Sequence, residues 1–144
     1  MIIWLTGQPG AGKTTIAKEL LKDRFKSAFL IDGDQMRKLF NNKDYSEKGR
    51  RDNIELAQNI AYYLHQNNRD VIVAMVSPYR DQRENFKQKV GNKLTEYYIH
   101  TSEVRGKENY HTNYEQPLTN FIAIDTTNKT ASEICNIFFS DYIY

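Results

Sequence analysis

Residues 7–15 read GQPGAGKTT. The stretch contains the full pattern G-x-x-x-x-G-K-[ST], in which glycines let the backbone curl so that several N–H groups point at phosphate oxygens. It lies between an apolar run at residues 2–5 and a helical pattern at 14–24. A helix that starts at such a loop adds the positive end of its dipole. The sequence therefore predicts a phosphate-binding loop for a nucleotide, made of Gly7, Gln8, Pro9, Gly10, Ala11, Gly12, Lys13, Thr14 and Thr15.

Two side chains of this loop carry the expected chemistry. Lys13 can reach the β and γ phosphates of ATP as a flexible point charge, and it is a candidate catalytic residue. Thr14 can offer its hydroxyl to the Mg²⁺ that accompanies ATP, and it is the candidate metal ligand. A Gly-rich turn with no ligand is the alternative explanation of the same letters.

Continuous apolar runs predict buried parallel strands, because a strand that is covered on both faces lacks the alternation of a half-exposed one. The runs span residues 2–5, 28–31, 71–76 and 121–124, and the mixed stretch 94–100 is a fifth candidate. Helical patterns separate them at residues 14–24, 50–66, 82–90 and 130–139. This alternation predicts βαβ units in a parallel sheet, in which ligands gather at the carboxyl ends of the strands.

Two carboxylates, Asp32 and Asp34, follow the second run. One can orient Mg²⁺ through its water shell, and the other can accept a proton from an attacking hydroxyl. Both are candidate catalytic residues, and the sequence leaves open which does which. In a purely structural alternative, Asp34 is the N-cap of a helix over residues 35–40.

Polar side chains also stand where an apolar stripe would continue. Arg50 and Asn53 extend the stripe of the 50–66 helix toward its start, and they must be satisfied by a ligand or by structural partners. Tyr45, just before this helix, could stack on a flat ring or be an ordinary tyrosine. Ser77 and Arg80 follow the third strand, where they either face a ligand or belong to a surface loop.

Charge and composition limit the kinds of binding partner that the sequence predicts. The chain has 144 residues, a net charge of +2 and one cysteine, Cys135, in an apolar helical pattern. The near-neutral charge makes nucleic acid an improbable partner, and we expect Cys135 to be core filler. No signal peptide and no membrane span is evident, so we expect a cytoplasmic protein.

Four segments in order, GQPGAGKTT, IDGDQMR, YSEKGRRDNI and VSPYR, resemble the adenylylsulfate kinase family, enzymes that phosphorylate the ribose 3′-hydroxyl of adenosine 5′-phosphosulfate (APS). The family patterns are D-G-D-x-x-R, F-S-x-x-x-R-x-x-N-I and I-S-P-Y-R, with Tyr45 here in place of Phe and Val76 in place of Ile. The resemblance implies an α/β fold: a P-loop NTPase-type three-layer sandwich with a five-stranded parallel sheet of order 2-3-1-4-5. It also implies that residues 1–144 form one kinase domain.

The family's activity implies that ATP, bound with Mg²⁺, is the phosphoryl donor and that APS is the acceptor. The product would be 3′-phosphorylated APS (PAPS). A homodimer is left open. Two alternatives remain: a P-loop kinase for another small acceptor (a nucleotide, a nucleic acid 5′-end or a polyol), and a nucleotide-binding module without turnover. The residues that the resemblance assigns to the acceptor are Asp34, Arg37, Tyr45, Arg50, Asn53, Val76, Ser77 and Arg80.

The sequence departs from the family at residues 101–117, where the family has a long basic lid. Here the corresponding stretch is short, and we expect it to exclude water from the site less completely. Tyr110 or Tyr114 is a candidate for the aromatic that covers the acceptor's base, and Arg105 or Lys107 for a cation of the lid.

Overall fold

The computed structural model describes residues 1–103 and 113–140. Its sheet has five parallel strands in the order β2-β3-β1-β4-β5, which confirms the predicted fold and strand order. The strands are β1 Ile2–Thr6, β2 Phe29–Asp32, β3 Val71–Ala74, β4 Leu94–His100 and β5 Ile122–Asp125. The helices are α1 Lys13–Asp23, α2 Gly33–Leu39, α3 Glu47–Gln66, α4 Arg80–Val90 and α5 Ala131–Ser140, with a 3₁₀ turn at Gly91–Lys93.

Several predicted boundaries were wrong by a few residues, each for a local reason. The third strand ends at Ala74 rather than at residue 76, and the left-handed backbone of Ser77 (φ 48°) and the missing donor of Pro78 follow. Helix α3 begins at Glu47 rather than at residue 50, because the Ser46 hydroxyl caps the helix by accepting a hydrogen bond from the Gly49 amide at 3.2 Å.

Alternation along β1 divides the core between the two faces of the sheet. Ile3 and Leu5 pack with buried residues of α1 and α5, whereas Ile2 and Trp4 pack with those of α2, α3 and α4. Helices therefore cover both faces, and the sandwich has three layers. Cys135 is 1% exposed within the α1–α5 side, as expected of core filler, and burial raises the pKa of its thiol to about 11.

All five strands point the same way, so the loops that follow β1, β2 and β3 meet at one edge of the sheet. This edge carries each of the motif segments that the sequence analysis singled out. Within residues 1–103 and 113–140, no helix is both long and apolar enough to span a membrane.

Candidate functional site

The loop between β1 and α1 has a backbone that only glycine can supply at its first position. Gly7 has φ +152°, and a Cβ there would lie 2.1 Å from the Ile99 carbonyl oxygen. Gly10 and Gly12 have φ of 80° and 104°, and Gly12 is the N-cap of α1. The Thr126 hydroxyl donates to the Ala11 carbonyl at 2.8 Å and fixes the far side of the loop. The glycines of the motif thus allow the curled backbone that a phosphate cradle requires.

Lys13 begins α1 and is only 8% exposed. Its ammonium donates to the Gln8 carbonyl within the loop at 2.7 Å. Burial lowers the pKa of Lys13 to about 8, although the charges of Asp32 and Asp34 act in the opposite direction. A buried ammonium with so depressed a pKa is a cation that a polyanion would stabilise.

Thr14 and Asp32 are joined directly, since the Thr14 hydroxyl donates to Asp32 Oδ1 at 3.0 Å. The other oxygen, Oδ2, accepts from the Gln35 amide at 3.2 Å, so Asp32 caps α2. The alternative in which Asp34 is the N-cap was therefore wrong: β2 runs one residue further than predicted, and Asp34 lies in the first turn of α2. Asp34 is exposed and faces the cleft.

A hydroxyl and a carboxylate that meet beside a phosphate loop fit Mg²⁺, which prefers hard oxygen ligands and usually binds through few protein groups together with phosphates and water. Thr14 would hold the ion directly or through water, and Asp32 would orient its water shell. The donor set of this chain is thus suited to the ion that the sequence analysis expected.

Asn53 lies on α3 with its side chain turned toward the cleft, and it is 4% exposed. Its amide nitrogen lies 3.5 Å from the Gly33 carbonyl. No residue of 1–103 or 113–140 pairs with its buried Oδ1. A buried acceptor of this kind calls for a donor, which a ligand in the cleft could bring.

Tyr45 and Arg37 form a stacked pair at the outer rim. The Arg37 guanidinium carbon lies 4.0 Å from the centre of the Tyr45 ring, and Tyr45 is 64% exposed. Arg37 also donates to the carbonyls of Asn42 and Asp44 at 3.1 and 3.0 Å, which shapes the loop that carries the ring. The arrangement leaves an aromatic surface at the rim of the cleft, of a kind that suits a flat ring.

The turn after β3 forms the opposite wall. Ser77 is 2% exposed, and its hydroxyl accepts a hydrogen bond from Trp4 Nε1 at 3.0 Å. Arg80, in contrast, is not among the residues that line the cleft. Its side chain binds the Gln116 carbonyl at 2.8 Å and lies 3.9 Å from the Glu115 carboxylate.

These elements enclose one cleft of about 670 Å³. Most of the predicted residues line it, namely Pro9, Gly10, Lys13, Thr14, Asp32, Asp34, Arg37, Tyr45, Arg50, Asn53, Val76 and Ser77. The remaining predicted loop residues do not line the cleft: Gly7, Gln8, Ala11 and Gly12 lie between β1 and α1, and Thr15 lies in the first turn of α1. Five further residues line the cleft that the sequence analysis did not assign to the site, namely Gly33, Ile54, Ala74, Met75 and Pro78. All five lie within or beside the quoted motifs, so the strand-end rule could have found them.

The short stretch 101–117 is described in part. Arg105, Lys107 and Tyr110 lie outside the described residues. Tyr114 packs at the sheet edge, with its ring 6.0 Å from that of Tyr98 and its hydroxyl 2.8 Å from that of Thr6. Burial raises the pKa of Tyr114 to about 12. Tyr114 does not line the cleft, so it lies away from the position expected of an aromatic that covers the acceptor's base.

Comparison with known proteins agrees with this geometry. Residues 1–129 match the adenylylsulphate kinase family. The "probable adenylyl-sulfate kinase" of Pyrococcus abyssi is 30% identical over 154 aligned positions, which cover 91% of this chain and 88% of that protein. The structure of the Mycobacterium tuberculosis APS kinase CysC in complex with AMPPNP and APS superposes with a TM-score of 0.77 at 20% identity, covering 96% of this chain and 95% of that one.

A second solved structure has the same fold. A gluconokinase from Sinorhizobium meliloti superposes with a TM-score of 0.65 at 14% identity, and the match covers 96% of this chain and 95% of that one. Since likeness at such identities establishes the fold alone, the fold leaves the choice of acceptor to the side chains of the cleft.

Proposed function

This chain belongs to the adenylylsulphate kinase family, and from that premise we propose that it transfers the γ-phosphoryl group of ATP to the 3′-hydroxyl of APS, giving PAPS. The observation that carries the proposal is the single cleft, which extends from Lys13 and Thr14 to Tyr45, Arg50 and Asn53. A phosphate cradle and a polar, aromatic-rimmed wall in one cavity suit a donor and an acceptor nucleotide held side by side.

On the donor side, the loop of residues 7–15 would bind the phosphates of ATP through its backbone amides. The Lys13 ammonium would exchange the Gln8 carbonyl for the β and γ phosphates, where it balances the charge that develops during transfer. Mg²⁺, when bound beside Thr14 and Asp32, neutralises charge on the transferring phosphoryl group.

The structure favours a division of labour between the two carboxylates. Both oxygens of Asp32 are engaged, one by Thr14 and one by the Gln35 amide, so this side chain is suited to fixing the start of α2 and the hydroxyl of Thr14. Asp34 is exposed and faces the cleft. We therefore assign Asp34 to the acceptor hydroxyl, which it would align and whose proton it would accept.

On the acceptor side, Tyr45 would stack on the base, with Arg37 behind its ring at 4.0 Å. Arg50 and Arg37 supply positive charge for the phosphosulfate, and Asn53 Oδ1 accepts from a donor group of the acceptor. The backbone and side chains of Val76 and Ser77 form the facing wall.

The test is a mass-resolved product assay with ATP, Mg²⁺ and APS. We expect a product heavier than APS by one phosphoryl group, formed in step with ADP, and no such product from Lys13→Ala, whose fold is checked by circular dichroism. The assay includes gluconate, nucleosides and a nucleic acid 5′-end as other acceptors. If APS is left unchanged while another of these hydroxyls accepts phosphate, the proposed acceptor is wrong. ATP binding without transfer to any of them would instead favour a binding module.

A further inference from the structure

Residues 114–120 form a return segment that is bonded to the turn at residues 76–80. We propose that Arg83 and Arg80 are positioning residues for acceptor binding: by binding the return segment, they hold residues 76–78, which wall the cleft. The inference rests on the proposed function, since it concerns the acceptor half of the same site. It also gives Arg80 an indirect role in place of the direct acceptor contact predicted from the sequence.

Arg83 joins the two segments through one guanidinium group. The side chain projects from the first turn of α4 and is 3% exposed. One terminal nitrogen donates to the Ser77 carbonyl and the other to the Glu115 carbonyl. Because the guanidinium is planar and rigid, its two arms fix the relative position of the two carbonyls.

Arg80 and the backbone add further bonds between the same segments. The Glu115 amide donates to the Pro78 carbonyl at 2.9 Å, and the Glu115 carboxylate accepts from the Arg80 amide at 3.1 Å. The Arg80 side chain donates to the Gln116 carbonyl at 2.8 Å. The turn and the return segment are thus connected directly through Pro78 and Arg80 on one side and Glu115 and Gln116 on the other.

A buried carboxylate, that of Glu96, forms ion pairs with Arg83 and with Lys87. Glu96, at the centre of β4, is 2% exposed and lies 3.8 Å from Arg83 Nε and 3.2 Å from Lys87 Nζ. Burial raises the pKa of Glu96, and the two cations act in the opposite direction. Lys87 also donates to the carbonyls of Thr119 and Asn120 at 3.0 and 3.3 Å. A shift of Arg83 away from Glu96 would remove positive charge from beside a buried carboxylate, which opposes such a shift.

The turn needs such support because its backbone is strained. Ser77 has φ 48°, a left-handed conformation that is unfavourable for a residue with a Cβ. The Arg83 guanidinium donates a hydrogen bond to the Ser77 carbonyl, and Trp4 Nε1 donates one to the Ser77 hydroxyl. Without these bonds, we expect Val76, Ser77 and Pro78 to relax and to change the wall that faces Asn53 across the cleft.

The first variant is Arg83→Lys, which keeps the charge beside Glu96 but cannot bridge both carbonyls. We expect the KM for APS to rise roughly tenfold, as is typical of coupling through packed networks, while the KM for ATP stays within about twofold. Arg69→Lys is the matched control and should leave both constants unchanged, because Arg69 is exposed and precedes β3, whereas these contacts lie beyond the opposite end of that strand. A fall in melting temperature with an unchanged KM for APS would show a purely structural role and overturn the proposal.

Arg80 provides a second test that does not depend on the folding of a variant with an altered core. Arg80→Ala, Glu115→Ala and the double variant are compared by their KM for APS. If Arg80 acts through the return segment, the double variant should be little worse than the worse single variant. If Arg80 touches APS itself, the two effects will multiply, and the indirect role is excluded. The wild-type assay separates the two proposals: no transfer to APS by the wild type refutes the proposed function, whereas transfer with unaltered variants refutes only this inference.

Discussion

Lys13 should take up a proton when ATP binds, and the uptake should follow a defined course with pH. The free chain holds the pKa of Lys13 at about 8, chiefly through burial. The phosphates of ATP should return this pKa to its ordinary value of 10.5 or above, because they replace a neutral carbonyl with negative charge beside the ammonium. The expected uptake is then about 0.1 proton at pH 7, 0.5 at pH 8 and 0.9 at pH 9.

Titration calorimetry in two buffers of different ionisation enthalpy measures this uptake directly. The γ phosphate of ATP is already ionised at pH 8 and 9, so it adds little to the signal there. Lys18→Arg, a change on the exposed side of α1, is the matched control and should leave the uptake unaltered. An uptake near zero at both pH 8 and pH 9 would refute the depressed pKa of Lys13.

The same depressed pKa has a consequence for the stability of the free chain. Between pH 8 and 10.5 the unfolded chain binds more protons at this lysine than the folded chain does, so the contribution of Lys13 to stability rises with pH across that window. Below pH 8 the folded chain bears the full cost of the buried charge, which corresponds to roughly 3 kcal/mol. Lys13→Met should therefore stabilise the free chain at pH 7 by at most about 3 kcal/mol and by less at pH 10, while abolishing transfer. Chemical denaturation at the two pH values measures the gain, and a gain that is independent of pH, or a loss, would contradict the reasoning.

Substitutions at Gly7, Arg50, Asp34 and Asp32 test other parts of the site. Gly7→Ala should destabilise the chain by several kcal/mol, because its Cβ would lie 2.1 Å from a backbone oxygen. Gly91→Ala has nothing within 4 Å of its Cβ and should cost less in thermal denaturation, roughly 1–3 kcal/mol, through backbone strain alone (φ 78°, ψ −148°). Arg50→Ala should raise the KM for APS far more than the KM for ATP, and equal effects on both would remove Arg50 from the acceptor pocket. Asp34→Asn should lower kcat by roughly 10²- to 10⁴-fold with little change in the Mg²⁺ requirement. Asp32→Asn should instead raise the Mg²⁺ concentration needed for half-maximal rate, and exchanged results would reverse the assignment of the two carboxylates.

The donor half of the site could be predicted because its geometry is local. The curled loop requires glycines at fixed positions in one short segment, and Gly7 and Gly12 stand where the backbone has positive φ. The five strands were likewise evident, since each is a continuous apolar run or a run with strong β formers. Their order came from the family resemblance rather than from any single run.

Other features depend on contacts between distant segments. Whether Asp32 or Asp34 caps α2 depends on where β2 ends, and strand ends are set by pairing with β3 rather than by the residues themselves. The burial of Arg83 and Lys87 could not be predicted from the sequence, because α4 is mostly polar and has the composition of a solvent-exposed helix. They become buried when the return segment, which follows in the chain, covers them.

The two halves of the cleft differ in whether their polar side-chain atoms have hydrogen-bond partners within the protein. On the donor side, Lys13 binds Gln8 and Thr14 binds Asp32. On the acceptor side, Asn53 Oδ1 is buried and is paired by no residue of the described ranges 1–103 and 113–140. A site that leaves a buried acceptor for the ligand to satisfy discriminates strongly against molecules that lack the matching donor. Sulfate and phosphate groups bring no donor when ionised, so under the proposed function the donor that pairs with Asn53 belongs to the nucleoside part of the acceptor. Selectivity for the acceptor should therefore depend on its base or ribose, while charge on Arg37 and Arg50 supplies affinity for the anionic part.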